Sequence, residues 1–229
     1  MHLFYQPVIS NSLSEAESNH AIKVLRLRKE DKIKITDGKG SLYIANILKA
    51  DSNLCQFEVI SKKTESKKNF YTHLVVAPTK SFSRIEWMVE KCVEIGVDEI
   101  TFIQCQNSER NSINANRLQK VAISALKQSQ QVWLPKINPM VKLVTICKTE
   151  ANQKFVAHFD GICNLQLSTA ITTNGNYCIV IGPEGDFTKE EIELCLKSNF
   201  KQVCLGNSRL RTETATIVAL WTIILGNIK

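Results

Sequence analysis

From Leu74 onward, short apolar runs alternate with segments whose apolar residues recur at i, i+3 and i+4, and this alternation restricts the fold more than any other feature. Residues 74–77, 100–103, 155–159, 177–181 and 203–205 read as strands. Between and after them, 83–96, 116–129, 188–198 and 212–228 read as helices; in the first of these, Ile85, Met88, Val89, Cys92, Val93 and Ile95 form one apolar stripe. Strands separated by helices of this length predict an α/β domain with a mainly parallel sheet.

The front of the chain has a different rhythm. Short extended runs at 32–36, 42–48 and 56–60 predict a small β-rich unit, with Asp37-Gly38-Lys39-Gly40 supplying the turn between the first two. One helix is expected among them, capped by Ser14 with Glu17 three residues on and running to Arg26. The stretch 61–69, Ser-Lys-Lys-Thr-Glu-Ser-Lys-Lys-Asn, has no large apolar residue and reads as the boundary. Two domains are therefore expected, 1–69 and 70–229. The formal charge is +7, and residues 1–69 hold 12 Lys plus Arg against 8 Asp plus Glu. Lys23, Arg26, Arg28, Lys29, Lys32 and Lys34 fall within twelve residues. Such a patch attracts a phosphate backbone by counterion release, and a solvated helix face followed by a charged strand explains it equally well.

A chain of 229 residues with 44% hydrophobic and 22% charged residues can bury a full core, which excludes disorder. Its start lacks the order of a secretory signal, and its longest apolar stretch, 217–225 broken by Thr222, is too short for a bilayer. A soluble cytoplasmic protein without membrane attachment is the expectation. Eight cysteines (Cys55, Cys92, Cys105, Cys147, Cys163, Cys178, Cys195, Cys204) form no Cys-x-x-Cys pair and sit mostly among aliphatic residues, so buried thiols are expected rather than disulfides or a metal site. His2, His20, His73 and His158 lack ligand spacing, and no metal is predicted.

Two segments could carry chemistry. The apolar run 179–181 leads into Gly182-Pro183-Glu184-Gly185-Asp186-Phe187, and a helix follows at once with Thr188 and Glu191 as a capping box. Open α/β sheets bind ligands at the carboxyl ends of their strands, where glycine admits a close ligand and proline stiffens the bend. An ordinary strand-to-helix turn has the same composition. The second segment, Cys204-Leu205-Gly206-Asn207-Ser208-Arg209-Leu210-Arg211-Thr212-Glu213-Thr214-Ala215, also leaves a short strand and opens a helix. Two such loops one strand apart can enclose a single small molecule. Walker and Gly-x-Gly-x-x-Gly sequences are absent, which disfavours nucleotide triphosphate and dinucleotide binding.

Gly182-Pro183-Glu184-Gly185 together with Leu205-Gly206 and Leu210-Arg211-Thr212-Glu213-Thr214-Ala215 resembles the SPOUT class of methyltransferases, and within it the RsmE family of 16S ribosomal RNA (uracil-N3)-methyltransferases. The likeness covers nearly the whole chain. His20 with Val24-Leu25-Arg26 resembles the family's amino-terminal RNA-contacting signature, and Lys80, Arg84, Trp87, Lys91, Glu94 and Gly96 resemble its central helix motif. The chain departs from the pattern at Asp186, where the family usually has glycine, and at Gln131, where relatives tend to have arginine.

The resemblance implies a PUA-like β-barrel domain followed by an α/β domain whose parallel sheet ends in a trefoil knot. It implies S-adenosyl-L-methionine as cofactor, held by Ile181, Gly182, Pro183, Glu184, Gly185, Leu205, Gly206, Leu210, Arg211, Thr214 and Ala215. It also implies 16S ribosomal RNA or the small ribosomal subunit as partner, with contacts from His20, Arg26, Arg28, Lys80 and Arg84, and a homodimer. Transfer to uracil N3 needs removal of the imide proton and stabilisation of charge on the uracil oxygens. Arg211 is the expected stabiliser, and Glu213 or Glu184 the nearest acid to accept the proton. A non-enzymatic RNA-binding or ribosome assembly protein of the same fold, and a tRNA methyltransferase, are the rival readings.

Overall fold

The computed structural model describes residues 1–159 and 161–228. Its internal contacts divide the chain into two units: Met1–Lys67 with Ile123–Leu134, and Lys68–Ala122 with Pro135–Lys229.

The first unit is built on a four-stranded sheet in the order β1-β2-β3-β4, comprising β1 (Leu3–Tyr5), β2 (Lys32–Thr36), β3 (Ser41–Lys49) and β4 (Gln56–Thr64). β1 runs parallel to β2, and the other pairings are antiparallel. Alternation puts Ile33, Ile35, Ala45, Ile47 and Phe57 on one side, where they pack with Phe4, Leu13, Ala21 and Cys55. The expected turn at 37–40 forms: Gly38 and Gly40 adopt φ of 71° and 97°, and the Asp37 carboxylate accepts from the Lys39 and Ser41 amides. Ser14 does cap a helix, α1 (Glu15–Asn19), but that helix gives way to a π turn at His20–Val24 and does not reach Arg26. Arg26 itself has a φ of 56°, which no helix accommodates.

Two further expectations need correction here. The first four residues of the polar stretch 61–69 are strand, because β4 continues to Thr64 as an exposed edge, and edge strands favour charged side chains such as Lys62 and Lys63. The unit is also discontinuous. Val132 O accepts from the Gly40 amide at 2.9 Å, Gly38 O accepts from Leu134 N at 2.9 Å, and Lys127 pairs with Glu17 at 2.7 Å.

The second unit holds a six-stranded, wholly parallel sheet in the order β10-β8-β9-β5-β6-β7. Its strands are β5 (Tyr71–Val76), β6 (Glu99–Gln104), β7 (Lys136–Lys142), β8 (Gln153–Ala157), β9 (Asn176–Ile181) and β10 (Lys201–Val203). The helices are α2 (Phe82–Ile95), α3 (Ala115–Ser129), α4 (Leu143–Ile146), α5 (Leu167–Ala170), α6 (Lys189–Lys197) and α7 (Thr212–Asn227), with α3 running on past Ala122. The α/β class with a parallel sheet is as expected from the alternation. β5 and β9 are buried on both faces: Val75, Cys178 and Val180 join a core with Leu143, Ile146 and Cys195, while α7 covers the other side. β7 escaped the sequence reading because it carries Pro139; as an edge strand it has a side with no ladder to interrupt. Among the described residues no helix is long and apolar enough to cross a membrane.

Cys55, Cys92, Cys105, Cys178 and Cys195 are buried free thiols, and burial pushes Cys178 and Cys195 up to about 12. Cys163 and Cys204 are not: they are joined as a disulfide with their Cα atoms 5.7 Å apart, an ordinary separation for such a bond. The partners are 41 residues apart and meet because Gln166 bridges to Cys204 beside β10, a proximity no spacing rule reveals.

A methyl group added at Gly40 would lie 2.3 Å from the Trp133 ring, at a φ of 97° that L residues resist. Gly40→Ala is therefore expected to destabilise the protein by about 2 kcal/mol or more, read as a lowered urea midpoint in equilibrium unfolding. An unchanged midpoint would show that the 123–134 segment is not integral to the first unit.

Candidate functional site

The parallel sheet determines where a site can form. β8, β9 and β10 are neighbours pointing the same way, so their carboxyl ends open side by side. A cavity of about 480 Å³ lies there, within the range of small-molecule sites. The end of β8 contributes His158 and Phe159, the loop after β9 contributes Gly182 to Glu184 and Asp186, and the segment between β10 and α7 contributes Leu205 and Ser208 to Thr212.

The two loops singled out in the sequence meet directly. The Thr212 hydroxyl, buried at the start of α7, donates to the Gly182 carbonyl at 3.0 Å, a bond spanning thirty positions. The β9 loop is braced from behind: Asn107 Nδ2 donates to the carbonyls of Gly185 and Asp186 at 3.1 Å each, and Asp186 N donates to Pro183 O. Gly185 is required by this brace, since a Cβ there would fall 2.9 Å from that of Asn107. Gly182 faces the Phe187 ring, 2.7 Å from where its Cβ would stand. The capping box of α6 is present, with Thr188 accepting from Glu191 N and the Glu191 carboxylate accepting from Thr188 N. That helix start is thus satisfied internally. α7 differs: Arg211 stands at its N-cap without a side-chain cap, so among the described residues no side chain caps the first-turn N–H groups beside the cavity.

Most of the expected cofactor residues line the cavity: Ile181, Gly182, Pro183 and Glu184 from one loop, Leu205, Leu210, Arg211 and Ala215 from the other. Gly185, Gly206 and Thr214 do not. Gly185 serves the brace, Gly206 provides a backbone φ of 130° in open space, and Thr214 points outward from α7. The contribution from β8 was missed, although the rule applied to β9 and β10 holds equally for the strand between them.

Arg84, one of the expected RNA contacts, lines this cavity from α2. Its guanidinium lies 3.7 Å from Glu184 and 3.6 Å from Glu213. Glu184 reaches the cavity and also accepts from Lys80 N at 3.1 Å. Glu213 does not line it: the residue is 7% exposed, and its second carboxylate oxygen is buried without a partner among the described residues. Arg84 stands between that carboxylate and the open space. Lys80 is exposed and pairs loosely with Glu109 at 3.9 Å. In the first unit, Arg26 and Arg28 are exposed, and the His20 ring is half-buried, edge-on to Phe4. Among the described residues, no group of three or more His, Cys, Asp or Glu could hold a metal ion.

Two family models match the chain. An RNA methyltransferase domain matches residues 66–224, and an RNA methyltransferase PUA domain matches 13–60. The ribosomal RNA small subunit methyltransferase E 2 of Borreliella burgdorferi is 31% identical over 88% of this chain and 85% of its own length. The chain belongs to the ribosomal RNA small subunit methyltransferase E family. A probable rRNA-methyltransferase from Porphyromonas gingivalis superposes on this methyltransferase with a TM-score of 0.93 and 39% identity, covering 99% of this chain and 98% of that one. The ribosomal RNA small subunit methyltransferase E of Neisseria gonorrhoeae, solved bound to S-adenosyl methionine, gives a TM-score of 0.86 at 26% identity, covering 98% and 97%.

The Thr212–Gly182 bond is testable in isolation, because valine keeps the shape of threonine and lacks the hydroxyl. Thr212→Val leaves a part-buried carbonyl without its donor and is expected to cost about 1 kcal/mol. Hydrogen exchange should accelerate in both 182–187 and 206–212; acceleration in only one segment would mean that the bond does not couple them.

Proposed function

We propose that this methyltransferase moves the methyl group of S-adenosyl-L-methionine to N3 of a uridine in 16S ribosomal RNA of the small subunit, in the cytoplasm. The observation that carries the reading is the cavity at three adjacent strand ends, closed by the bond between its two loops. Its chemistry suits that cofactor. Ile181, Leu205, Leu210 and Ala215 supply apolar wall for a purine, while the first-turn N–H groups of α7 and the charged Arg84, Glu184 and Arg211 suit an amino-acid end and ribose. Gly206 admits the backbone conformation that a close-fitting loop needs. A trefoil-knotted chain path is part of the same reading, by resemblance to the family at residues 182–185 and 210–215.

Bound there, the cofactor supplies an electrophilic methyl group on a positively charged sulfur. The protein has to position the base, take up the imide proton and stabilise negative charge on the uracil oxygens. Arg211, exposed at the cavity rim and free of capping duty, is assigned the last task. Of the two acids, Glu184 is the one that reaches the cavity and is assigned the proton. Glu213 acts at one remove, holding Arg84 in place. The amino-terminal patch around Arg26 and Arg28, with His20 beside it, and Lys80 near the cavity, is assigned to the RNA backbone, where contacts position without specifying. A homodimer is part of the reading: α7 and the α2 packed on it leave Trp221, Leu225 and Trp87 each close to half exposed, an apolar surface suited to a second copy.

In cells lacking this protein, N3-methyluridine is expected to vanish from one position of 16S ribosomal RNA. Wild-type protein should restore it and Arg211→Ala should not, while melting within a degree or two of wild type. An intact modification pattern in the deletion strain would overturn the reading, and methylation lost from tRNA instead would move the substrate. Arg26→Glu should weaken RNA binding and reduce the slope of log affinity against log salt by about one, as expected for a lost phosphate contact. A slope equal to wild type would detach that patch from the substrate.

A further inference from the structure

The departure from the family pattern at Asp186 has a structural correlate. Its φ is 63°, in the left-handed region where glycine is free of strain and aspartate is merely tolerated. A carboxylate at a position that glycine would occupy more easily must have something to hold. Its Oδ1 accepts from the Phe187 amide at 2.8 Å and lies 3.1 Å from Nδ1 of His158. The backbone beneath it is pinned on both sides, by Asp186 N to Pro183 O and by Asn107 Nδ2 to Asp186 O. Bracing of the loop is therefore complete without the imidazole.

His158 sits just beyond β8 with its amide bonded to Val203 O at 3.1 Å, and its side chain, 17% exposed, lines the cavity. A neutral imidazole facing a carboxylate through Nδ1 carries its proton there, which leaves Nε2 as a hydrogen-bond acceptor. Among the described residues Nε2 has no hydrogen-bond partner, and it is not one of the buried orphan atoms, so it opens onto accessible space.

We propose that His158 is a donor-binding residue whose Nε2 accepts a hydrogen bond from an O–H or N–H of the bound methyl donor, a ribose hydroxyl being the group of the right chemistry. Asp186 is the positioning residue that fixes the ring's tautomer and direction. The inference rests on the S-adenosyl-L-methionine reading and adds a residue at the end of β8 to a site otherwise assigned to the loops after β9 and β10.

Three substitutions separate binding from bracing. His158→Asn places an amide where Nδ1 was and can satisfy only Asp186; His158→Gln reaches the place of Nε2 and can satisfy only the ligand; His158→Ala does neither. Calorimetric titration of the full-length protein with S-adenosyl-L-methionine, and separately with S-adenosyl-L-homocysteine, reads binding without turnover. The Ala and Asn variants should bind both ligands about five- to tenfold more weakly, and the Gln variant should stay within about twofold of wild type. Any outcome in which Gln binds no better than Asn overturns the proposal. Wild-type protein that takes up neither ligand would instead overturn the methyl-donor reading, so the two failures are distinguishable.

Discussion

The hydroxyl of Thr212 bonded to the carbonyl of Gly182 is the contact on which the site depends. It joins the start of the last helix to the bend after β9, and without it the two loops would be independent excursions from a sheet. The sheet makes the contact possible because β8, β9 and β10 are parallel neighbours and deliver their ends to one place. The strength of a single hydrogen bond is modest, yet the Thr212 hydroxyl is buried and would otherwise lack an acceptor.

Electrostatics around the cavity form a relay of alternating sign. Glu213, buried and, among the described residues, lacking a hydrogen-bond partner for one oxygen, would be costly as an isolated carboxylate; Arg84 at 3.6 Å compensates it and is shared with Glu184 at 3.7 Å. The consequence is that the cavity-lining guanidinium of Arg84 has a buried counter-charge behind it. The acids differ in accessibility rather than in kind, and accessibility decides which of them can touch a ligand.

Much of this was legible in the chain. The period change after residue 70, the glycines flanking Pro183-Glu184, the capping box at Thr188 and the tract Arg211 to Ala215 gave the class of fold and two of the three cavity walls. The missing parts share a cause: they depend on which distant segments become neighbours. Arg84 shows no sign in its own helix that it will face Glu184, 100 positions later. His158 follows an unremarkable strand and gains meaning only from Asp186. Cys163 and Cys204 carry no spacing signature, and β7 hides behind a proline that an edge position tolerates. Local pattern reports what an element is, and only topology reports what it meets.

The strand-turn unit at the amino terminus borrows residues 123–134 from the middle of the chain, with Trp133 set against Gly40 and Val132 bonded to its amide. A module assembled from two stretches of one gene cannot be traded by a single crossover. Recombination that joined a foreign amino-terminal segment at position 67 would install a surface whose complement is encoded elsewhere. The two stretches are therefore bound to diversify together, by paired point changes rather than by shuffling.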